Sequence, residues 1–519
     1  MEPTASVFNK NRIAKNTAFL YLKMLFTMFI NLYTTRLVLS NLGVEDMGIY
    51  GFVGSIVGFF SIFSTGLTTA IQRFITFEAG KQDGNVNLVF CCSVNVLVIC
   101  SVVLVALIEL GGCWYLYHYA NLPSNSLNVA FGVLQCSVIT AIVTLISIPY
   151  NALIIANEKM NAFAMVSVLQ ALLTCAAAYF IGKLSDSRLI VYSVLLMAIG
   201  IFIRLIYQIY CNAKFKDAKY HLLMDKQVIK QIGKFATSTS LSGSLQVVSN
   251  QGVVLIFNAF FGVAVNAVYT IALQIKNSFI SFSYNLNKAI APQITKTYAN
   301  GEMDIHKRLV YIGSRMEAFL NFFIMIPFLF KAEYIMSLWL GNVPPHAVEF
   351  CRLIIFISLL WAAVAPFYES VMATGKVGRF LIWPELVYMM VIPFSWFISS
   401  QLNNPEFMMA TIVVFEGVAF IMRMYCALQV TDLKLSNVLK DILMPCLLVG
   451  VLGFVASFGL LEFISGNNLV SLLLYLVLNT LILSILVLTI GLKSEERKFV
   501  LKIVAGVYNK VKSHNHHGH

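Results

Sequence analysis

Residues 86 to 110 read VNLVFCCSVNVLVICSVVLVALIEL, and Glu109 is the single charge between Val86 and Leu110. A helix rises ~1.5 Å per residue, so about 20 apolar residues cross the ~30 Å hydrocarbon core of a bilayer. The stretch is long enough to span a membrane and too apolar to face water. The same template recurs along the chain, giving predicted spans near 17–39, 47–71, 86–110, 127–154, 162–182, 189–210, 235–260, 264–288, 310–330, 347–372, 379–399, 407–429, 441–461 and 468–491. The expected fold is an all-α integral membrane protein with about fourteen transmembrane helices.

The rest of the sequence agrees with that class. The 519 residues are 59% hydrophobic and 12% charged, where a soluble domain has ~45–50% and ~25%, so no sizeable water-soluble domain is expected. Cys91, Cys92, Cys100, Cys113, Cys136, Cys175, Cys211, Cys351, Cys426 and Cys446 fall mostly in apolar runs with no C-x-x-C pattern, and they read as small buried hydrophobes. The first sixteen residues are polar, and the apolar run after them is too long for a signal-peptide core, so the first span is expected to act as an uncleaved anchor. The chain closes on His514, His516, His517 and His519, a pattern expected to be a solvated tail, with metal binding as the alternative.

Cytoplasmic loops of membrane proteins retain Lys and Arg. With the N-terminus inside, the inner segments hold 25 such residues, including Lys10, Arg73, Lys159, Lys230, Lys307, Lys376, Lys434 and Lys512, and the outer loops hold 3: Lys183, Arg188 and Lys331. Both termini are therefore expected in the cytoplasm. The formal net charge of +12 follows from this topology and from attraction to lipid headgroups, and it requires no nucleic-acid partner.

The longest basic loop, from Cys211 to Lys234, separates two sets of six spans that carry a weak repeat. Leu42-Gly43-Val44 through Ile49-Tyr50 matches Phe261-Gly262-Val263 through Val268-Tyr269 at a spacing of 219, and Phe60 and Phe63 match Phe279 and Phe282. After a two-residue gap, Ala70, Gln72, Thr76, Gly80 and Asp83 match Ala291, Gln293, Thr297, Gly301 and Asp304. The expected organisation is a six-helix bundle over 1–210, a cytoplasmic linker over 211–234, a second six-helix bundle over 235–430, two further helices over 431–491 and a cytoplasmic tail over 492–519. Parallel repeats of this kind occur in transporters, whose sites lie at the repeat interface.

At these positions the chain resembles the polysaccharide flippases, of O-antigen and capsule type, of the multidrug/oligosaccharidyl-lipid/polysaccharide exporter superfamily. The residues that carry the likeness are Leu42 to Tyr50, Thr69-Ala70-Ile71-Gln72-Arg73-Phe74, Phe77-Glu78, Gly80-Lys81 and Ala289 to Lys296. The resemblance implies two six-helix bundles that alternate in access and move an undecaprenyl-diphosphate-linked oligosaccharide to the outer leaflet of a bacterial inner membrane. It also implies membrane lipids and a polysaccharide polymerase complex as partners.

Charges inside a span cost a few kcal/mol on insertion scales and mark candidate sites. The first span carries Lys23 and Arg36, the eighth Lys276 and Lys288, and no Asp or Glu sits well inside any of the first eight. Lys276 lies near the middle of its span, beyond the reach of snorkelling. Arg36 and Lys276, with Lys23 and Lys288, could meet a diphosphate, Lys as a point charge and Arg through paired hydrogen bonds; lipid-headgroup contacts or interhelical ion pairs are the alternative. Asn31, Asn250 and Gln251 could line a wet cavity or join helix to helix. Glu317, Glu369, Glu385 and Glu416 could bind a coupling ion or pair with Arg315, Arg352 and Arg423. No phosphate loop, dinucleotide fingerprint or metal-ligand spacing is present, so no cofactor is expected. A multidrug cation extruder of the same fold would want acids in the first bundle, where this sequence has cations. A membrane glycosyltransferase or polymerase would want larger outer loops than 111–126 and 331–346, so no enzyme is expected.

Overall fold

In a computed structural model the chain is predominantly helical over the described region, which comprises residues 10–79, 81, 84–123, 126–157, 159–184, 187–464, 466 and 468–498. Within it, the side chains of 10–25, 63, 238–242, 285 and 289 fall outside the description. The elements are α1 (Lys10–Gly58), α2 (Ser61–Ala79), α3 (Val86–His118), α4 (Leu127–Ala156), α5 (Met160–Ile181), α6 (Arg188–Lys214), α7 (Lys226–Ala299), α8 (Met303–Leu340), α9 (Ala347–Thr374), α10 (Gly378–Leu402), α11 (Pro405–Val430), α12 (Leu435–Phe463) and α13 (Leu469–Gly491). Among the described residues, 11 helices are long and apolar enough to cross a membrane. They account for twelve of the fourteen predicted spans, because α7 holds both the seventh and the eighth. The first two predicted spans fall on α1 and α2.

Two breaks explain why spans merge. Gly43 in α1 has φ 83° and ψ 176°, and Gly262 in α7 has φ 76° and ψ −174°. That backbone region is essentially restricted to glycine, and the two glycines stand 219 residues apart, the spacing of the sequence repeat. The break at Gly43 leaves the preceding carbonyls without helical partners. Arg188 Nη1 answers one of them, donating to Asn41 O at 2.9 Å.

Other irregularities have covalent causes. Helix α10 is interrupted at Met390, and Pro393 cannot donate to the carbonyl of Met389 four residues back. Pro445 likewise frees the carbonyl of Asp441 in the wide turn at Leu439–Leu443 of α12, and Arg315 Nη1 donates to it at 2.8 Å. Helix α3 runs past the end of its predicted span through a wide turn at Ile108–Gly112, which carries Glu109 into the helix interior.

The chain packs as two compact units. Unit one comprises residues 1–274, 337–350 and 385–415; unit two comprises 275–336, 351–384 and 416–519. The core of unit one is aliphatic and aromatic, with Phe52, Phe90, Leu97, Val133, Leu134 and Ile154 fully buried. Phe90 meets Tyr150 edge-on at 5.0 Å, and the guanidinium of Arg204 lies 4.1 Å from the Tyr150 ring centroid. Segments following the two glycine breaks also meet in unit one: a β-carbon on Gly48 would lie 1.8 Å from Val263 O, and one on Gly51 would lie 2.8 Å from Thr270 Oγ1. Gly51 and Thr270 are themselves 219 apart, so the repeat-related segments cross at equivalent positions.

The linker predicted over 211–234 is held to the start of α3. Asn87 Nδ2 donates to the carbonyls of Asp217 at 2.9 Å and Lys219 at 2.7 Å, and Asn95 Nδ2 donates to Leu223 O at 2.8 Å. Asp225 Oδ1 then accepts from the backbone N–H groups of Gln227 and Val228, an N-cap that starts α7.

In unit two, Ile294, Val310, Val364, Phe367 and Val371 anchor a core of α7, α8 and α9. The segment following α13 is clamped by charge: Arg308 pairs with Glu495 at 2.7 Å, Arg315 with Glu496 at 2.5 Å and Lys493 with Asp441 at 2.8 Å. The ten cysteines are all free. The histidine-rich terminus lies outside the described residues.

Candidate functional site

In unit one, the turn of α2 that carries part of the family resemblance lines an open surface pocket of about 520 Å³ with Thr69, Gln72, Arg73, Thr76 and Phe77. The spacing 69, 72, 73, 76 puts these residues on one helix face. Arg73 is exposed, and its guanidinium lies 4.4 Å from the centroid of Phe235 on α7, a cation–π contact that holds the fork in place while leaving its N–H groups available. Among the described residues, one cation, one amide, two hydroxyls and one aromatic ring form the wall, with no carboxylate. In the sequence Arg73 stands both among the charges expected on the inner side and in the stretch that carries the resemblance. The clue was its place in Thr69 to Phe74, where helical spacing groups hydroxyl, amide and guanidinium.

The predicted residues of unit one lie elsewhere. Arg36 is exposed, and its Nη1 donates to Leu338 O at 3.0 Å. Beside it, Thr35 Oγ1 donates to Gln274 Oε1 at 2.7 Å, and Trp339 Nε1 donates to Leu32 O at 2.8 Å. Asn31 is exposed, whereas Asn250 and Gln251 are partly buried. Tyr388 OH donates to Asn250 Oδ1 at 3.5 Å, and the Gln251 amide packs where a β-carbon on Gly58 would stand, 2.7 Å away. Asn250 and Gln251 therefore join helices as well as carrying polar groups. Glu385 is buried. The side chain of Lys23 lies outside the described residues.

In unit two, Lys276 is partly buried, and its charged neighbour is Glu416 of α11. Glu416 belongs to the twelfth predicted span, so the acid near Lys276 comes from outside the first eight, as the interhelical-pair alternative requires. Glu416 is buried and also pairs with Arg423 at 2.6 Å, whose guanidinium lies 4.4 Å from the Trp361 centroid. Lys288 is exposed, its ammonium 4.8 Å from the Tyr284 centroid. The remaining arginines pair outside the four candidate glutamates, Arg315 with Glu496 and Arg352 with Glu333. Glu317 and Glu369 stand as neighbours, with Asn287 Nδ2 donating to Glu369 Oε1 at 3.3 Å. Among the described residues no group of three or more His, Cys, Asp or Glu could hold a metal ion.

No family model matches the sequence, and no curated protein matches it. The fold does match solved structures. The lipid II flippase MurJ in an inward closed conformation superposes with a TM-score of 0.72 at 10% identity, covering 89% of this chain and 97% of that one. A multidrug resistance MATE family transporter of the MOP superfamily, in an inward-facing conformation, gives 0.65 at 15% identity, covering 78% and 94%. The MATE multidrug transporter DinF-BH gives 0.59 at 14% identity, covering 83% and 99%. The chain therefore has the fold of these all-α membrane transporters over nearly their whole length.

Proposed function

We propose that this protein is a flippase that carries an undecaprenyl-diphosphate-linked oligosaccharide across a bacterial inner membrane by alternating access, for surface polysaccharide synthesis. The observation that carries the reading is the open pocket of unit one, lined among the described residues by Arg73, Gln72, Thr69, Thr76 and Phe77 with no carboxylate. A guanidinium meets phosphate oxygens through two parallel hydrogen bonds, and hydroxyl and amide groups suit sugars. Arg36, Lys276, Lys23 and Lys288 are proposed as further cationic contacts along the path of the substrate, and Asn31, Asn250 and Gln251 as polar ones. The fold shared with a lipid II flippase is consistent with a lipid-linked substrate.

A second reading has its own support. The MATE multidrug transporters share the fold, and the buried carboxylates of unit two suit a cation-coupled extruder. Binding separates the two: purified protein should be stabilised against heat by undecaprenyl diphosphate and not by the uncharged alcohol. Stabilisation by lipophilic cations, with none by the diphosphate, would favour the extruder. Membrane lipids surround the protein on either reading, and a polysaccharide polymerase complex is the proposed partner of the flippase. The proposed topology has both termini in the cytoplasm, so reporter fusions after Lys230 and Lys512 should both give the cytoplasmic signal, and an outward signal from either rejects it.

A further inference from the structure

Asn266 is fully buried on the segment of α7 that follows the Gly262 break, and neither polar atom of its side chain has a hydrogen-bond partner among the described residues. The unmade hydrogen bonds of a buried amide carry a free-energy cost. Where the residue stands gives that cost a use. Val263, Asn266, Thr270 and Gln274 follow one another at intervals of three and four and share a helix face, and the other three each meet α1. Val263 O stands where a β-carbon on Gly48 would lie, Thr270 Oγ1 stands 2.8 Å from the β-carbon position of Gly51, and Gln274 Oε1 accepts from Thr35 Oγ1 at 2.7 Å. Asn266 is thus enclosed in the crossing of the repeat-related segments, between the contacts at Gly48 and Gly51, and it is the member of the stripe that α1 leaves unanswered.

The fold elsewhere handles the same situation differently. At the repeat spacing of 219 the residue equivalent to Asn266 is Met47, also buried, so an apolar side chain fills the corresponding position in the first copy. Asn258, one turn before the break and equally buried, has its amide answered on both sides: its Oδ1 accepts from Asn121 N at 3.1 Å, and its Nδ2 donates to Asn121 O at 3.4 Å. Beside Asn266, the Thr270 hydroxyl donates to the main-chain carbonyl of Asn266 at 2.9 Å and leaves the side chain as it is.

We infer that Asn266 is a positioning residue for the alternation of access: its unpartnered amide weakens the packed crossing and so sets how readily the two segments part. When they part, water reaches the amide and its hydrogen bonds are made; when they close, those bonds are lost. The cost falls on the closed arrangement alone and shifts the equilibrium towards the open one. An apolar residue at this position removes the cost and favours closure. The inference rests on the alternating-access reading above, and it holds for either substrate class.

The test compares wild type with Asn266→Leu, which keeps the branched shape, and Asn266→Met, which copies Met47. Hydrogen–deuterium exchange is followed in the purified full-length protein, without substrate, over peptides spanning 44–52 and 263–274. Backbone amides there exchange through local opening. Both variants should slow exchange in these two segments by roughly ten- to a hundredfold, leave α12 and α13 unchanged, and lower the rate at which reconstituted vesicles transport whichever substrate the wild type carries, lipid-linked glycan or lipophilic cation. Exchange as fast as in wild type, or faster, would overturn the inference, because the amide would then be satisfied within the packed crossing. Slower exchange with transport at the wild-type rate would overturn it as well. So would failure of both variants to fold, since an amide that no apolar side chain can replace is one that the crossing uses. A wild type that carries neither substrate would count against the proposed function, while the exchange measurement would still decide whether Asn266 weakens the crossing.

Discussion

Replacing Gly48 by alanine would place a methyl carbon 1.8 Å from Val263 O and 2.5 Å from the carbonyl carbon behind it. Unstrained carbon contacts begin at about 3.5 Å, so the segment after Gly43 and the segment after Gly262 must part by roughly 1.5 Å. The obstacle is backbone, and no side-chain rotation relieves it. Overpacking of this kind costs ~1–3 kcal/mol, and backbone displacement belongs at the upper end. Alanine returns up to ~1 kcal/mol through its better helix propensity, which leaves a net loss of about 2 kcal/mol. With ~2.1 cal/mol/K of unfolding entropy per residue, a chain of 519 residues loses roughly 1 °C per kcal/mol, so the expected drop is ~2 °C. Gly54, in the same helix with nothing within 4 Å of its ideal β-carbon, is the control, and Gly54→Ala should be neutral or stabilising. Thermal unfolding of the detergent-purified proteins reads both. A Gly48→Ala midpoint equal to or above that of Gly54→Ala would refute the close crossing of the repeat-related segments.

Gly262→Ala should lose ~1–3 kcal/mol from backbone strain alone, since φ 76° with ψ −174° suits glycine only; the thermal midpoint and the amount of protein in the membrane check it. Arg423→Ala leaves Glu416 buried beside Lys276 and should cost up to ~3–5 kcal/mol, less whatever Lys276 recovers; Arg423→Ala with Glu416→Gln should restore part of the loss, and an equally unstable double variant would count against the pair. Lys276→Ala should reach the membrane normally and slow the flipping of lipid-linked glycan, whereas Lys276→Arg should keep part of the activity; wild-type flipping by the alanine variant would reduce Lys276 to a partner of Glu416.

The spans were legible because a bilayer imposes one length and one polarity on every crossing, as at Val86 to Leu110. The repeat was legible at Gly43 and Gly262 for a different reason: the backbone there tolerates no β-carbon, so glycine marks the break in both copies. Pairing over long separations was not legible. Glu416 lies 140 residues from Lys276, and Glu496 lies 181 from Arg315, distances at which periodicity carries no information. Two of the arginines set against the buried glutamates turned instead to Glu333 and Glu496, each of which stands outside the predicted spans. Arg73 was hidden by its position, because a cation expected at the inner end of a span reads as a topology signal, and its contact with Phe235, 162 residues away, leaves no mark on the sequence. The unpartnered amide of Asn266 could not be read either, since an amide in a span looks the same whether or not a neighbour answers it.

The most direct measurement is transfer of a fluorescently labelled, undecaprenyl-diphosphate-linked oligosaccharide across vesicles reconstituted with the purified protein. Label should become accessible on the opposite leaflet faster than in empty vesicles, and Arg73→Ala should slow it. Transfer no faster than in empty vesicles, together with accumulation of a lipophilic cation by the same vesicles, would contradict the flippase and establish the extruder in its place.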